Sequence, residues 1–297
     1  MKTYYVSLKL HSGIHTPFQA DTLFGHLCWA VAYQEGEQGI REFLKPFKDG
    51  NPPFVVSDGF PEGYLPKPLS AEFYITDPTA QKEAKKREHV ALSDFNLVRK
   101  GEKFEPHPDL SEPFRRITTT HNRVSRLTNT VLEDGLYSLD ETYAETISVY
   151  LKVCDDKWKD KVARLLQEVS KSGYGGKKSI GKGQFTVEEI NEFYEFETVK
   201  EPDGFVTLSN FCPAENDPTD GFYKTFVKYG KLGEEFTFCG NPFKRPLVMI
   251  RAGSVFKTSQ PPKEFYGRMV QEGIAPQKPE VVQYAYAFAL PIRFPRP

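Results

Sequence analysis

The segment Ser172-Gly173-Tyr174-Gly175-Gly176-Lys177-Lys178-Ser179-Ile180-Gly181-Lys182-Gly183-Gln184-Phe185 decides how the rest of the chain is read. Its five glycines, three lysines and two serines leave almost no apolar material to cover the backbone, which predicts an exposed loop with outward-pointing amides. Such a loop suits an anion: glycine lets the main chain approach a ligand closely, successive N–H groups form a concave nest, and lysines add charge for phosphate oxygens. The spacing does not fit a mononucleotide P-loop, which needs Ser or Thr after Lys182, where Gly183 stands. The alternative is a flexible surface loop, and the flanks argue against it. Residues 156–171 carry Trp158, Val162, Leu165, Leu166 and Val169 at helical spacing, and Phe185, Val187 and Ile190 then read as a strand.

The chain has 297 residues, enough for two domains with their own cores. Its formal net charge of −1 offers nothing to nucleic acid in bulk, so an RNA site has to come from local segregation of charge. That segregation exists. Residues 113–132 hold four arginines and a histidine with no acid, and residues 171–185 also lack acids, whereas residues 188–203 carry seven acids and one lysine. The acidic stretch suits a solvated face or a basic protein partner. Cys28, Cys154, Cys212 and Cys239 are far apart, with no CxxC; no disulfide framework, metal or cofactor is expected. No segment approaches 18 apolar residues, so a cytoplasmic protein without membrane contact is expected.

Taken in order, residues 3–10 alternate as a strand. Asp21 reads as the N-cap of a buried helix containing Leu23, Phe24, Leu27 and Val31; its alternative role, a catalytic carboxylate beside His15 and His26, lacks a second carboxylate nearby. Residues 54–57 and 60–65 around Asp58-Gly59 suggest a hairpin. A long excursion, about 70–142, follows and reads as an insertion projecting from the fold. The chain returns with a strand at 145–153 and completes β-α-β-β-α-β, the ferredoxin-like order also used by RNA-recognition domains. After a charged linker near 195–204, short strands are expected at 205–211, 222–228, 235–239, 246–251 and 254–257. The last strand, 281–292, sets Tyr284, Tyr286, Phe288 and Leu290 against Ala285, Ala287 and Ala289. Aromatics at this density are read as core rather than as base-stacking platforms.

Four stretches carry a resemblance: His15-Thr16-Pro17 with Ala20-Asp21-Thr22-Leu23-Phe24-Gly25-His26-Leu27-Cys28-Trp29-Ala30; residues 173–185; Ile250-Arg251-Ala252-Gly253-Ser254-Val255-Phe256; and residues 281–291. Together they resemble the RAMP superfamily, and within it the Cas5-like subunit family that caps the 5′ end of the guide RNA in type III-A CRISPR (Csm) effector complexes. The resemblance implies an α+β fold of two ferredoxin-like, RRM-like domains, 1–194 and 195–297, with a projecting thumb insertion in the first. It implies a non-catalytic subunit that holds the 5′ repeat-derived handle of the crRNA near target RNA. Its expected protein partners are the large polymerase/cyclase-like subunit and a backbone RAMP subunit, in antiviral defence.

The RNA-binding residues expected on that basis are Lys177, Lys178 and Lys182 with the amides of Gly175, Gly176, Ser179 and Gly181 for phosphates. Arg115, Arg116, Arg123 and Arg126, with His121 and Asn122, would line the thumb, arginine offering both a bidentate fork and a stacking plane. His15 and His26 would sit beside the loop at the start of the first helix, where phosphate is also favoured. Arg251 and Ser254 would contribute from the second domain. Two other readings remain open. A guide-processing endoribonuclease of the same superfamily would draw on His15, His26, Tyr174 and Lys177, and a protein-only scaffold would use the acidic stretch.

Overall fold

Strand β1 (Lys2–Leu10), helix α1 (Ala20–Lys48) and strand β2 (Phe54–Pro61) open the chain in a computed structural model that describes residues 1–105 and 113–296. The excursion contains β3 (Tyr64–Pro66), α2 (Pro78–Lys86), β4 (His89–Ala91), α3 (Leu92–Lys100) and a long hairpin of β5 (Arg115–Val124) and β6 (Val131–Tyr143). Then come β7 (Thr146–Val153), α4 (Asp156–Ser172) and β8 (Phe185–Glu192). The main sheet is antiparallel in the order β2-β7-β1-β8. With the excursion set aside, its chain order is the expected β-α-β-β-α-β. Helix α4 forms because Asp155 caps its first turn through Trp158 N, and Val162, Leu165, Leu166 and Val169 fall on one buried face.

Three expectations for this half need correction. The chain does not turn at Asp58-Gly59: β2 runs through it with a register shift, and β3 pairs with β4 instead of β2. Gly59 is small because Phe18 and Ile147 press on it, leaving 2.6 and 2.7 Å to the position a Cβ would take. Asp21 is not the N-cap. Helix α1 starts at Ala20, whose N–H is capped from another strand by Asp58 Oδ1 at 2.8 Å. Asp21 is buried instead, 3.0 Å from Lys228 Nζ, and accepts from Gln283 Nε2 at 2.6 Å. Nor does the whole excursion project. Ala71, Ile75, Ala84, Val90, Phe95, Val98 and Phe104 are core residues; the β5–β6 hairpin is the exposed part, and residues 106–112 lie outside the described residues.

The second half comprises β9 (Gly204–Thr207), β10 (Gly221–Phe222), β11 (Thr225–Lys228), β12 (Leu247–Ile250), β13 (Val255–Lys257), β14 (Phe265–Val270) and β15 (Gln283–Ile292). Five of them form an antiparallel sheet, β10-β13-β9-β15-β14, and β11 pairs with β12. Among the described residues this half has no α-helix, so the two helices of a second ferredoxin-like unit have no counterpart. Residues 234–238 form a 3-10 turn where a strand was expected, and β14 was not foreseen.

What covers the second sheet is the first half. Tyr284, Tyr286, Phe288 and Leu290 of β15 enter one core that begins at Tyr4, while Ala287 and Ala289 face a smaller cluster with Phe205, Phe211, Phe256 and Tyr266. The large and small faces of β15 thus have different partners. The Tyr284 ring stacks on Phe24 of α1 at 4.5 Å, and Tyr286 Oη donates to Phe47 O at 2.6 Å. Each such fully buried aromatic side chain contributes about 1.5–3 kcal/mol through burial alone.

Candidate nucleic-acid interface

The glycine segment is built down onto the fold more firmly than its composition suggests. Tyr174 is 1% exposed, and its ring stacks on Phe18 at 3.8 Å with the planes 9° apart. Its hydroxyl donates to Pro17 O and accepts from Gln19 N at 2.8 and 2.9 Å. The loop closes at its base by Tyr174 N to Gly183 O, 2.8 Å. Gly183 must be glycine: at φ +69° a Cβ would stand 2.0 Å from Tyr174 O.

The expectation of free amides is corrected at three glycines. Gly175 N donates to His26 Nε2 at 2.9 Å, Gly176 N to Thr16 Oγ1 at 3.0 Å, and Gly181 N to Lys178 O at 2.9 Å. Glycine backbone this close to its neighbours has its N–H groups satisfied internally. Ser179 sits exposed in the 3-10 turn Lys178–Ile180. His26 therefore anchors the loop through its unprotonated nitrogen. Burial, with Lys178 nearby, pushes its pKa down to about 4, so the ring is neutral at pH 7.

The three lysines have different surroundings. Lys178 Nζ is 2.6 Å from Glu234 Oε1 of the second half, and Lys182 Nζ is 2.7 Å from Glu141 Oε1 of β6. Exposed Lys177, held at φ +68°, extends its ammonium 5.7 Å from the Tyr137 ring centroid.

Tyr137 is where the hairpin meets the loop. It lies opposite His121 across the β5–β6 ladder, the two rings stacked at 5.4 Å, and the Arg123 guanidinium is 5.7 Å from the same phenol ring. His15 Nδ1 lies 3.2 Å from Asp140 O in β6, and its ring borders Gly176. His121, Arg123 and Lys177 thus gather around the Tyr137 ring, with His15 beside Gly176 at the edge of β6. Strand alternation puts Arg115 on the His121 face, whereas Arg116 and Asn122 fall on the opposite one. Arg126 is exposed in the hairpin turn.

The second-half candidates separate. Arg251 is exposed, its guanidinium 5.5 Å from the Phe226 ring centroid. Ser254 is 0% exposed, and its hydroxyl accepts from Lys224 N at 3.4 Å; it supports a turn and has no surface to offer RNA. Sequence reasoning missed Tyr137, Thr16, Glu141 and Glu234. The period-two pattern of β6 could have singled out Tyr137, but only the ladder register sets it against His121. Among the described residues no helix is long and apolar enough to cross a membrane, and no His, Cys, Asp or Glu group could hold a metal ion.

The chain is similar in sequence and in fold to proteins of CRISPR systems. The chain is 26% identical over 215 residues to the CRISPR system Cms protein Csm4 of Thermococcus onnurineus (strain NA1), covering 66% of this chain and 70% of that one. Its fold matches a chain of the Csm1-Csm4 cassette crystallised with cA4 at a TM-score of 0.69 and 21% identity, over 100% of both chains. It also matches a chain of the Csm3-Csm4 subcomplex of the type III-A CRISPR-Cas interference complex at a TM-score of 0.64 and 17% identity, over 98% and 99% of the two chains. The RAMP superfamily model matches residues 13–186, a span that includes the loop, the hairpin and strands β2 and β7 of the main sheet. The chain belongs to the RAMP superfamily.

Proposed function

We propose that this chain is the non-catalytic RNA-binding subunit of a cytoplasmic type III-A CRISPR interference complex, holding the 5′ repeat-derived handle of the crRNA in antiviral defence. The observation that carries the reading is the convergence of Lys177 from the glycine loop with His121, Arg123 and Tyr137 from the hairpin, His15 lying beside them at the edge of β6. Single-stranded RNA is held by cations along its backbone and by bases laid on aromatic or guanidinium planes, and both kinds of group meet here. Lys178, Lys182 and Ser179 share the loop with Lys177, and Arg115 and Arg126 share the hairpin with Tyr137, with Arg251 a separate exposed cation.

On this reading residues 1–194 form a ferredoxin-like RAMP domain, the β5–β6 hairpin is its thumb, placed to touch guide and nearby target RNA, and residues 195–297 form the second domain. The chain docks a Csm1-like polymerase/cyclase subunit and a Csm3-like backbone RAMP subunit, as its relatives' assemblies suggest. Of the four groups an endoribonuclease would draw on, Tyr174 Oη and His26 Nε2 are already engaged within the fold.

The test is to tag the chain in its host, purify it gently, sequence the bound RNA and identify the co-purified proteins. RNAs sharing one 5′ end, with a large polymerase-like protein and repeated RAMP subunits, are expected. Protein partners without RNA would overturn the reading in favour of a scaffold, and cleaved repeat fragments alone would favour a nuclease.

A further inference from the structure

Glu141 has an unusual place for an acid in an RNA-binding surface. Its side chain is 3% exposed, it lies on β6 beside the arginine-bearing strand β5, and its carboxylate is packed so closely over Gly13 that a Cβ there would come 2.2 Å from Oε2. Oε1 receives Lys182 Nζ at 2.7 Å and the Thr119 hydroxyl at 3.1 Å. That hydroxyl has one hydrogen, and with it directed to Glu141 the 2.9 Å contact to His121 requires His121 Nε2 to donate. His121 stacks on Tyr137, and Lys177 reaches the Tyr137 ring. The contacts therefore close a ring, Lys182–Glu141–Thr119–His121–Tyr137–Lys177, which leaves the glycine loop at one lysine and returns to it at another. Gly13 joins the same junction by accepting from Gly183 N at 3.0 Å, and Ile14 exchanges backbone hydrogen bonds with Thr142 at 2.8 and 3.0 Å.

We propose that Glu141 is a positioning residue that locks the glycine loop and the hairpin into one RNA-gripping unit, so that the two elements engage the guide together. The inference rests on the RNA-binding reading and deepens it. A carboxylate acting only through its charge would repel phosphate, and its removal would tighten binding. A carboxylate acting through position gives the opposite sign, because the surface formed by Lys177, Tyr137 and His121 loses its alignment when the ring opens.

The experiment measures binding of the guide RNA that co-purifies with the tagged chain to wild type and Glu141→Gln over a salt series, with hydrogen exchange of the free proteins. The expected result is binding weaker by roughly tenfold across the salt series, the scale of coupling between contacting residues. Exchange should quicken in the loop and the hairpin together. If Glu141→Gln fails to fold, Lys182→Gln opens the ring from the more exposed side and should likewise speed exchange in both elements. Equal or tighter binding by Glu141→Gln, or faster exchange in one element only, overturns this inference and leaves the RNA reading standing. A wild-type chain that binds no guide RNA overturns both.

Discussion

Lys178 Nζ lies 2.6 Å from Glu234 Oε1, so one of the three loop lysines is held by a carboxylate from the opposite half of the chain. Unlike Glu141, Glu234 is half-open to solvent, with a side-chain exposure of 30%. A phosphate can therefore compete with it for the lysine. Replacing Glu234 by Gln should raise affinity for guide RNA, by up to about fivefold, since partly exposed pairs are worth about 0–1 kcal/mol. A filter-binding or anisotropy titration reads this directly. A loss of affinity would mean that the pair orients Lys178 instead of occupying it.

Two buried groups give stability opposite pH dependences. Burial pushes the Asp58 carboxyl up to about 7 despite hydrogen bonds from Ala20 N and Asn210 N, whereas burial pushes His26 down to about 4. For Asp58 the folded state binds more protons than the unfolded, so its contribution is fully present below about 4 and is lost as pH rises to about 7. For His26 the folded state binds fewer, so its contribution is present above about 6.5 and is lost as pH falls to about 4. The slopes oppose each other between those limits. Urea melts across pH 4–7 should show Asp58→Asn gaining stability with rising pH more steeply than wild type. A variant whose pH profile parallels wild type would remove Asp58 as the source.

The two halves share a core, and Tyr284 tests this. Its ring stacks on Phe24 and its hydroxyl accepts from Val56 N at 3.1 Å, so one second-half residue packs on α1 and β2. Tyr284→Ala should cost about 3–5 kcal/mol, as truncation of a large buried aromatic does, and should do so in a single cooperative transition. Two separated transitions, with the first half unaffected, would show that the halves fold independently.

What the sequence made legible was periodic. Val162, Leu165, Leu166 and Val169 announced α4, and the large and small faces of β15 announced a strand between two packings. What stayed hidden was tertiary. Asp58-Gly59 has turn chemistry, but Phe18 and Ile147 crowd Gly59 and Ala20 takes the Asp58 carboxylate, so the strand continues. The loop's lysines looked free because Glu141 and Glu234 lie far along the chain. Its amides looked free because Thr16 and His26 arrive from another element. Composition records charge but not which charges meet.

The division of the hairpin into two faces gives the last prediction. Arg123 and Lys177 both approach the Tyr137 ring, while Arg116 lies on the other side of the β5–β6 ribbon. If guide RNA runs along the Tyr137 face, each cation on it that meets a phosphate releases counterions on binding. The slope of log affinity against log salt then falls by about 0.7 for each single-strand phosphate contact removed. Lys177→Ala and Arg123→Ala should each weaken binding and flatten the slope by about that amount, and the double variant by about twice it. Arg116→Ala should leave the slope for guide RNA unchanged. Equal slopes for all three single variants would mean that the ribbon is gripped from both sides, with Arg116 and Asn122 meeting a second strand.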